Sequence, residues 1–460
     1  MKRFLWLGFV LLLHLICTGC GDTFRPIIIP NPPTFPNPAA AHSVVAISDN
    51  GTTVAGSVMV IDVSGDSIAS VADCTTPLCI GIAPVHAVQQ TAGQVLVVNQ
   101  SGSLSKVNFS SITTIANTTT ITLPAGSAPN FVAVAPNQTT AYVTLPSLNE
   151  VGVVNTSSNV LTSTIAVGSN PYALAVTPDN TKLYVANYST PCKTSTAGIC
   201  SISAFNTTGP STRGISGPQL TSAPLWLSAR SDSQVVYVLE ENGTLAYISI
   251  TSTSGPDTLT ETAISVPTAV KLVYDSNLNR LYIPGEAFVE VNGVLESAVM
   301  IVDASQSAPS PIVTIPIAAV QPSSRGASDP CSGTSLTTLN TVDAAALPDG
   351  TRAYVGSFYE DAAGNICPQV TVIDAKSNTA NPPIAVPGFP AYDAFCSTTR
   401  FRFMMAAGGD SSRAYLSSCD GGNVNIIDTS DNTYVGNLTA PASSRQYNPP
   451  QNPVFLFAGP

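Results

Sequence analysis

The sequence predicts an all-β protein, a β-propeller of four-stranded antiparallel blades, on three observations. The 460 residues are 44% hydrophobic but only 10% charged, with 37 prolines and 32 glycines. That composition suits short strands and tight turns rather than solvated helices. A strand–turn–strand unit recurs at Pro84, Pro129, Pro171, Pro224 and Pro267, close to the roughly 40–45 residues that a four-stranded blade occupies. The two ends complement each other: the body opens without a Pro-led first strand, and the chain finishes on one with nothing after it. The formal charge of −11 argues against nucleic acid as a partner, because binding it needs clustered Lys and Arg. Intrinsic disorder is excluded by the apolar content.

From the N-terminus, Lys2 and Arg3 precede the apolar run Phe4–Ile16, too short to span a bilayer comfortably. The run ends in Cys17-Thr18-Gly19-Cys20, which resembles a bacterial lipobox. Residues 1–19 are thus expected to be a signal peptide and Cys20 the lipidated residue of the mature chain. An ordinary secretory signal or an uncleaved anchor is the alternative. The prolines at 26, 30, 32, 33, 36 and 38 favour extended polyproline II, so residues 20–41 read as a tether. It would hold a single domain, 42–460, clear of a membrane reached through the lipid. The expected location is the bacterial cell envelope, facing periplasm or exterior.

The repeats follow. The chain reads PYALAVTPDNTKLYVAN from Pro171, PNFVAVAPNQTTAYVTL from Pro129 and VDAAALPDGTRAYVGS from Val342, with weaker copies at Pro84, Pro224, Pro267 and Pro390. Each joins a strand, a polar turn and a second strand. Third strands end in Asp, as in VMIVDAS (299–305), VTVIDAK (370–376) and VNIIDTS (424–430). A fourth resembles VLTSTIAVG (160–168), after which the next copy begins. NPVFLFAGP from Asn452 echoes NPYALAVTP from Asn170. A blade shared between the termini would therefore close the ring and remove the open sheet edges. Seven internal starts plus this blade give eight, with seven the alternative. These repeats resemble the YVTN-type β-propeller repeat family of bacterial exported and archaeal surface-layer proteins. The resemblance spans about residues 42–460 and implies the fold, not a chemistry.

Eight cysteines lie beyond the leader: Cys74/Cys79, Cys192/Cys200, Cys331/Cys367 and Cys396/Cys419 as sequence neighbours. An even number behind an export signal reads as disulfides. No pair has the spacing or the histidines of a zinc site, so neither metal nor cofactor is expected.

In a propeller the first strand of each blade lines the central channel. The second position after the leading Pro, or its equivalent, reads His86, Phe131, Ala173, Trp226, Ala269, Asp343, Tyr392 and Phe455. This gives a candidate ligand pocket with Phe131, Trp226, Tyr392 and Phe455 as walls and His86 and Asp343 as polar handles. The plainer alternative is that these large residues plug the channel. No catalytic residue is assigned: histidine is scarce, and no G-x-S-x-G, P-loop or H-E-x-x-H occurs. The expected function is a monomeric binding scaffold for a protein, polysaccharide or small ligand. A lactonase-like or other hydrolase, and a structural surface-layer component, are the alternatives.

Overall fold

A computed structural model describes residues 42–51, 53–72, 78–189, 201–209, 211–251, 255–289, 294–333, 335–391, 396–397, 399–439 and 452–459. The leader, Cys20 and the tether lie outside these residues. The described chain forms eight four-stranded antiparallel blades in a ring. Blade 1 is the shared one: Asn452–Ala458 pairs with Ser43–Asp49, followed outward by Ser57–Asp62 and Ser67–Ala72. Blade 2 runs from Pro84–Thr91 to Thr114–Thr122, blade 3 from Val132–Val134 to Val160–Ala166, and blade 4 from Pro171–Val176 to Thr212–Arg213. Blade 5 runs from Pro224–Ala229 to Asp257–Ser265, and its outer edge gains Ile215–Ser216 in parallel. Blade 6 runs from Val273–Asp275 to Ser310–Pro316, blade 7 from Asn340–Ala346 to Thr379–Ala380, and blade 8 from Phe403–Ala407 to Thr433–Leu438.

The second strands make the core. The second-strand Tyr of the repeat, at 184, 237, 282, 354 and 415, is fully buried between blades, and Tyr142 nearly so. Fully burying a large apolar side chain contributes roughly 1.5–3 kcal/mol. Several hydroxyls reach the neighbouring blade: Tyr184 donates to Asp257 at 2.7 Å, Tyr237 to the Ala304 carbonyl at 3.0 Å and Tyr354 to Asn432 at 2.6 Å. The Arg two residues before the Tyr does the same. Arg280 donates to the Ala375 carbonyl and Asn378, Arg352 to the Thr429 carbonyl and Asn432, and Arg413 pairs with Asp66 at 2.9 Å. The third-strand Asp closes the next turn, as where the Ser305, Lys376 and Ser430 amides donate to Asp303, Asp374 and Asp428. Asn378 and Asn432 then adopt left-handed φ of 54° and 58°, which asparagine tolerates.

Two repeat registers differ from the sequence reading. Pro390 does not begin blade 8: Phe389–Pro390 pairs with Asn365–Ile366 of blade 7, and the innermost strand of blade 8 is Phe403–Ala407. Tyr392 lies outside the described residues, and Met404, opposite Ser417, takes the position assigned to it. In blade 6, Lys271 rather than Ala269 occupies the channel position, since the ladder Val273↔Tyr282 extended inward places it there. Disulfides join Cys331 to Cys367 and Cys396 to Cys419. Cys79 is also disulfide-bonded; Cys74, Cys192 and Cys200 lie outside the described residues.

Candidate functional site

Four of the six proposed pocket residues meet on the channel axis. The His86 ring stacks on Phe131 with centroids 3.7 Å apart, and lies 4.6 Å from Phe455 and 6.3 Å from Trp226. These side chains come from blades 2, 3, 1 and 5, so they bridge the ring. Trp226 and Phe455 each pack edge-on against Phe401, at 6.0 and 5.7 Å. His86, Phe131 and Phe455 are each 5% exposed, so the cluster plugs the channel. Asp343 is not a handle on a cavity. It is buried, pairs with Lys271 at 3.0 Å and accepts the Met405 amide at 3.0 Å. Lys271 also sits 5.8 Å over the Trp226 ring.

Burial and the nearby Arg400 and Lys271 charges push the His86 pKa well below its usual value. The imidazole is therefore neutral, and its Nδ1 faces the Val132 amide at 3.5 Å. A buried ring held neutral in this way is poorly placed to exchange protons.

The plug separates two spaces. On the far side, a cavity of about 360 Å³ is lined by His86, Phe131, Trp226 and Phe455 themselves, together with Lys271 and the Ala87–Gln89 and Val132–Val134 stretches. On the side where the innermost strands begin, a cavity of about 450 Å³ is lined by Asp49, Pro84, Asn130, Tyr172, Arg400 and Phe401, among others. Here lie the residues the repeat did not reveal. The Arg400 guanidinium lies 4.1 Å from the Tyr172 centroid, 5.2 Å from Phe401, 5.4 Å from Trp226 and 5.8 Å from Phe131. One nitrogen donates to the Leu225 carbonyl at 2.9 Å. No carboxylate pairs with it among the described residues, and burial lowers its pKa. Aromatic faces partly compensate a buried cation. Asp49, 7% exposed, accepts the Gly51 amide at 2.9 Å and is pushed up to about 6 by burial.

Arg400 stands on the segment inserted before the innermost strand of blade 8. The Cys396–Cys419 disulfide fastens that segment, and the Arg402–Asp420 ion pair at 2.7 Å fastens it again. Sequence offered one usable signal: a cationic residue just inside the Cys396–Cys419 bracket, ahead of a blade's first strand. Cys331, Asp361 and Cys367 cluster as metal ligands do, but the two sulfurs are bonded to each other.

No family model matches the chain, and no curated protein matches it. Solved structures do. AztD from Citrobacter koseri is 12% identical over 92% of this chain and 99% of its own, with a TM-score of 0.58. The dihydro-heme d1 dehydrogenase NirN is 11% identical over 89% of this chain and 73% of its own, at 0.52. Hydrazine synthase from Kuenenia stuttgartiensis is 15% identical over 75% of this chain and 96% of its own, at 0.50. These similarities establish the propeller fold.

Proposed function

We propose that the chain is an exported, lipid-anchored envelope protein, akin to the YVTN-type repeat proteins, whose channel mouth binds a ligand without transforming it. The observation that carries this reading is Arg400: a half-buried guanidinium with no carboxylate partner among the described residues, facing a 450 Å³ cavity beside aromatic rings. Concave, largely apolar spaces with a few placed polar groups are where small ligands bind. Binding is favoured over hydrolysis because burial and nearby cations hold His86 neutral and Asp343 is held by Lys271. The lipobox-like Cys20 and the disulfides support export.

The test is a thermal-shift screen of the full-length chain in detergent against organic acids, amino acids, sugars and oligosaccharides, repeated with Arg400→Met. The reading expects a ligand that raises Tm in the native chain and not in the variant. A parallel lactone and ester panel yielding turnover that depends on His86 would replace it with the hydrolase reading. Incorporation of labelled fatty acid, expected to vanish in Cys20→Ser, checks the anchor.

A further inference from the structure

We infer that the mouth cavity takes a small zwitterion, a molecule with one carboxylate and one ammonium group such as a free amino acid, the carboxylate on Arg400 and the ammonium on Asp49. This rests on the mouth being a binding site and names the ligand class.

Arg400 and Asp49 line the same cavity. Among the described residues neither has an ionic partner, and they do not pair with each other. Asp49 is buried and Arg400 half-buried; ions taken even partly out of water without counterions are costly, so two of opposite sign on one cavity ask for one solution. A singly charged ligand would neutralise one and leave the other. A zwitterion neutralises both and brings no net charge into the site.

The groups suit these roles. Guanidinium presents a planar fork of N–H donors matched to carboxylate oxygens, and the hydrogen bond to Leu225 uses one nitrogen. Asp49 keeps acceptor capacity beyond the Gly51 amide. Burial lifts its carboxyl to about 6, as expected for a charge awaiting a counterion. On the same cavity, the Tyr172 and Phe401 rings offer apolar faces for a carbon skeleton, and Asn130 stays fixed by donating to the Tyr172 carbonyl at 3.0 Å.

The experiment is calorimetric titration of the full-length chain in detergent with glycine, L-leucine, L-phenylalanine, β-alanine, 4-aminobutyrate and 6-aminohexanoate. Each is paired with its carboxylate-only and amine-only counterparts, and neutral sugars complete the panel. At least one zwitterion is expected to bind ten-fold or more tightly than both counterparts. Arg400→Met and Asp49→Asn should each abolish that margin, with near-UV circular dichroism confirming the fold. Arg400→Lys, which keeps the charge and loses the fork, should retain part of it. If carboxylate-only compounds bind as well as zwitterions and Asp49→Asn changes nothing, the zwitterion is overturned while the mouth remains a binding site. Binding of sugars alone overturns it likewise. If nothing in the panel binds, both the inference and the binding reading fall.

Discussion

Asp49 carries a carboxylate that folding penalises. Its folded pKa of about 6 lies above the ordinary value of 3.8, so the folded state holds the proton more tightly than the unfolded chain. Stability from this group is therefore fully present below pH 3.8 and lost as pH rises to 6. Asp49→Asn keeps the acceptor for Gly51 and removes the charge. It should stabilise the protein by ~1–3 kcal/mol at pH 7.5 and by almost nothing at pH 3.5, read from urea unfolding at both values. A variant less stable at pH 7.5 would show that the carboxylate has a stabilising partner. Glu240 follows the same sign: burial and the neighbouring Glu261 raise its pKa, and its Oε2 accepts the Ser222 amide at 2.7 Å. Glu240→Gln should raise Tm at pH 8 and leave it unchanged at pH 4. A Tm gain independent of pH would refute the raised carboxyl pKa as its cause. At this scale the sequence was partly legible. His86, Phe131, Trp226 and Phe455 stood out because the blade repeat indexes them. Arg400 did not, because it belongs to an insertion that no repeat aligns, and Pro390-Ala391-Tyr392 imitates Pro171-Tyr172-Ala173 closely enough to draw the register away.

Between neighbouring blades, the repeat motif's polar letters act as clasps. Arg352 donates to the Thr429 carbonyl and to Asn432, which also accepts from Tyr354. Removing the cation takes this donor from the carbonyl of buried Thr429, while Asn432 keeps Tyr354, a penalty of about 1–3 kcal/mol. Arg352→Met should lower stability by about that much. In a double-mutant cycle with Asn432→Ala, the two losses should be less than additive; strict additivity would mean the contact is incidental. This explains why Arg, Tyr and the third-strand Asp recur in a chain otherwise so poor in charge: Arg and Tyr bind one blade to the next, the Asp closes the turn of its own blade, and none need line the channel. The Cys396–Cys419 disulfide has a different role. It holds the Arg400 segment onto the turn after Arg413–Ser418, away from the inter-blade core. Cys396→Ala with Cys419→Ala should therefore weaken ligand binding at the mouth ten-fold or more while Tm falls only modestly. The reverse pattern would make the disulfide a stabilising clip and leave Arg400 positioned by other contacts.

For the ring as a whole, the closing blade decides whether eight units behave as one. Blade 1 takes its innermost strand from the end of the chain, with the ladder running from Val44↔Ala458 to Asp49↔Asn452. Phe455 of that strand contacts His86 and Phe401, so closure also completes the plug. This feature was legible in the sequence because a first strand was missing at one end and present at the other, and hydrophobic periodicity alone could not have shown it. Without the strand, Val44–Ile47, all fully buried, become an unpaired apolar edge, which invites association with other chains. A chain ending at residue 439 should lose its sharp cooperative unfolding transition and elute as aggregates in size-exclusion chromatography. Adding a synthetic 452–460 peptide should restore both the monomer and the transition, because the edge it pairs with is already formed by the N-terminal strands. Substituting Phe455→Ala in that peptide should restore the ladder, hence the monomer, but leave the plug incomplete and the recovered Tm lower. A truncated chain that stays monomeric with unchanged Tm would show that closure contributes nothing. The ring would then be held by its inter-blade clasps alone.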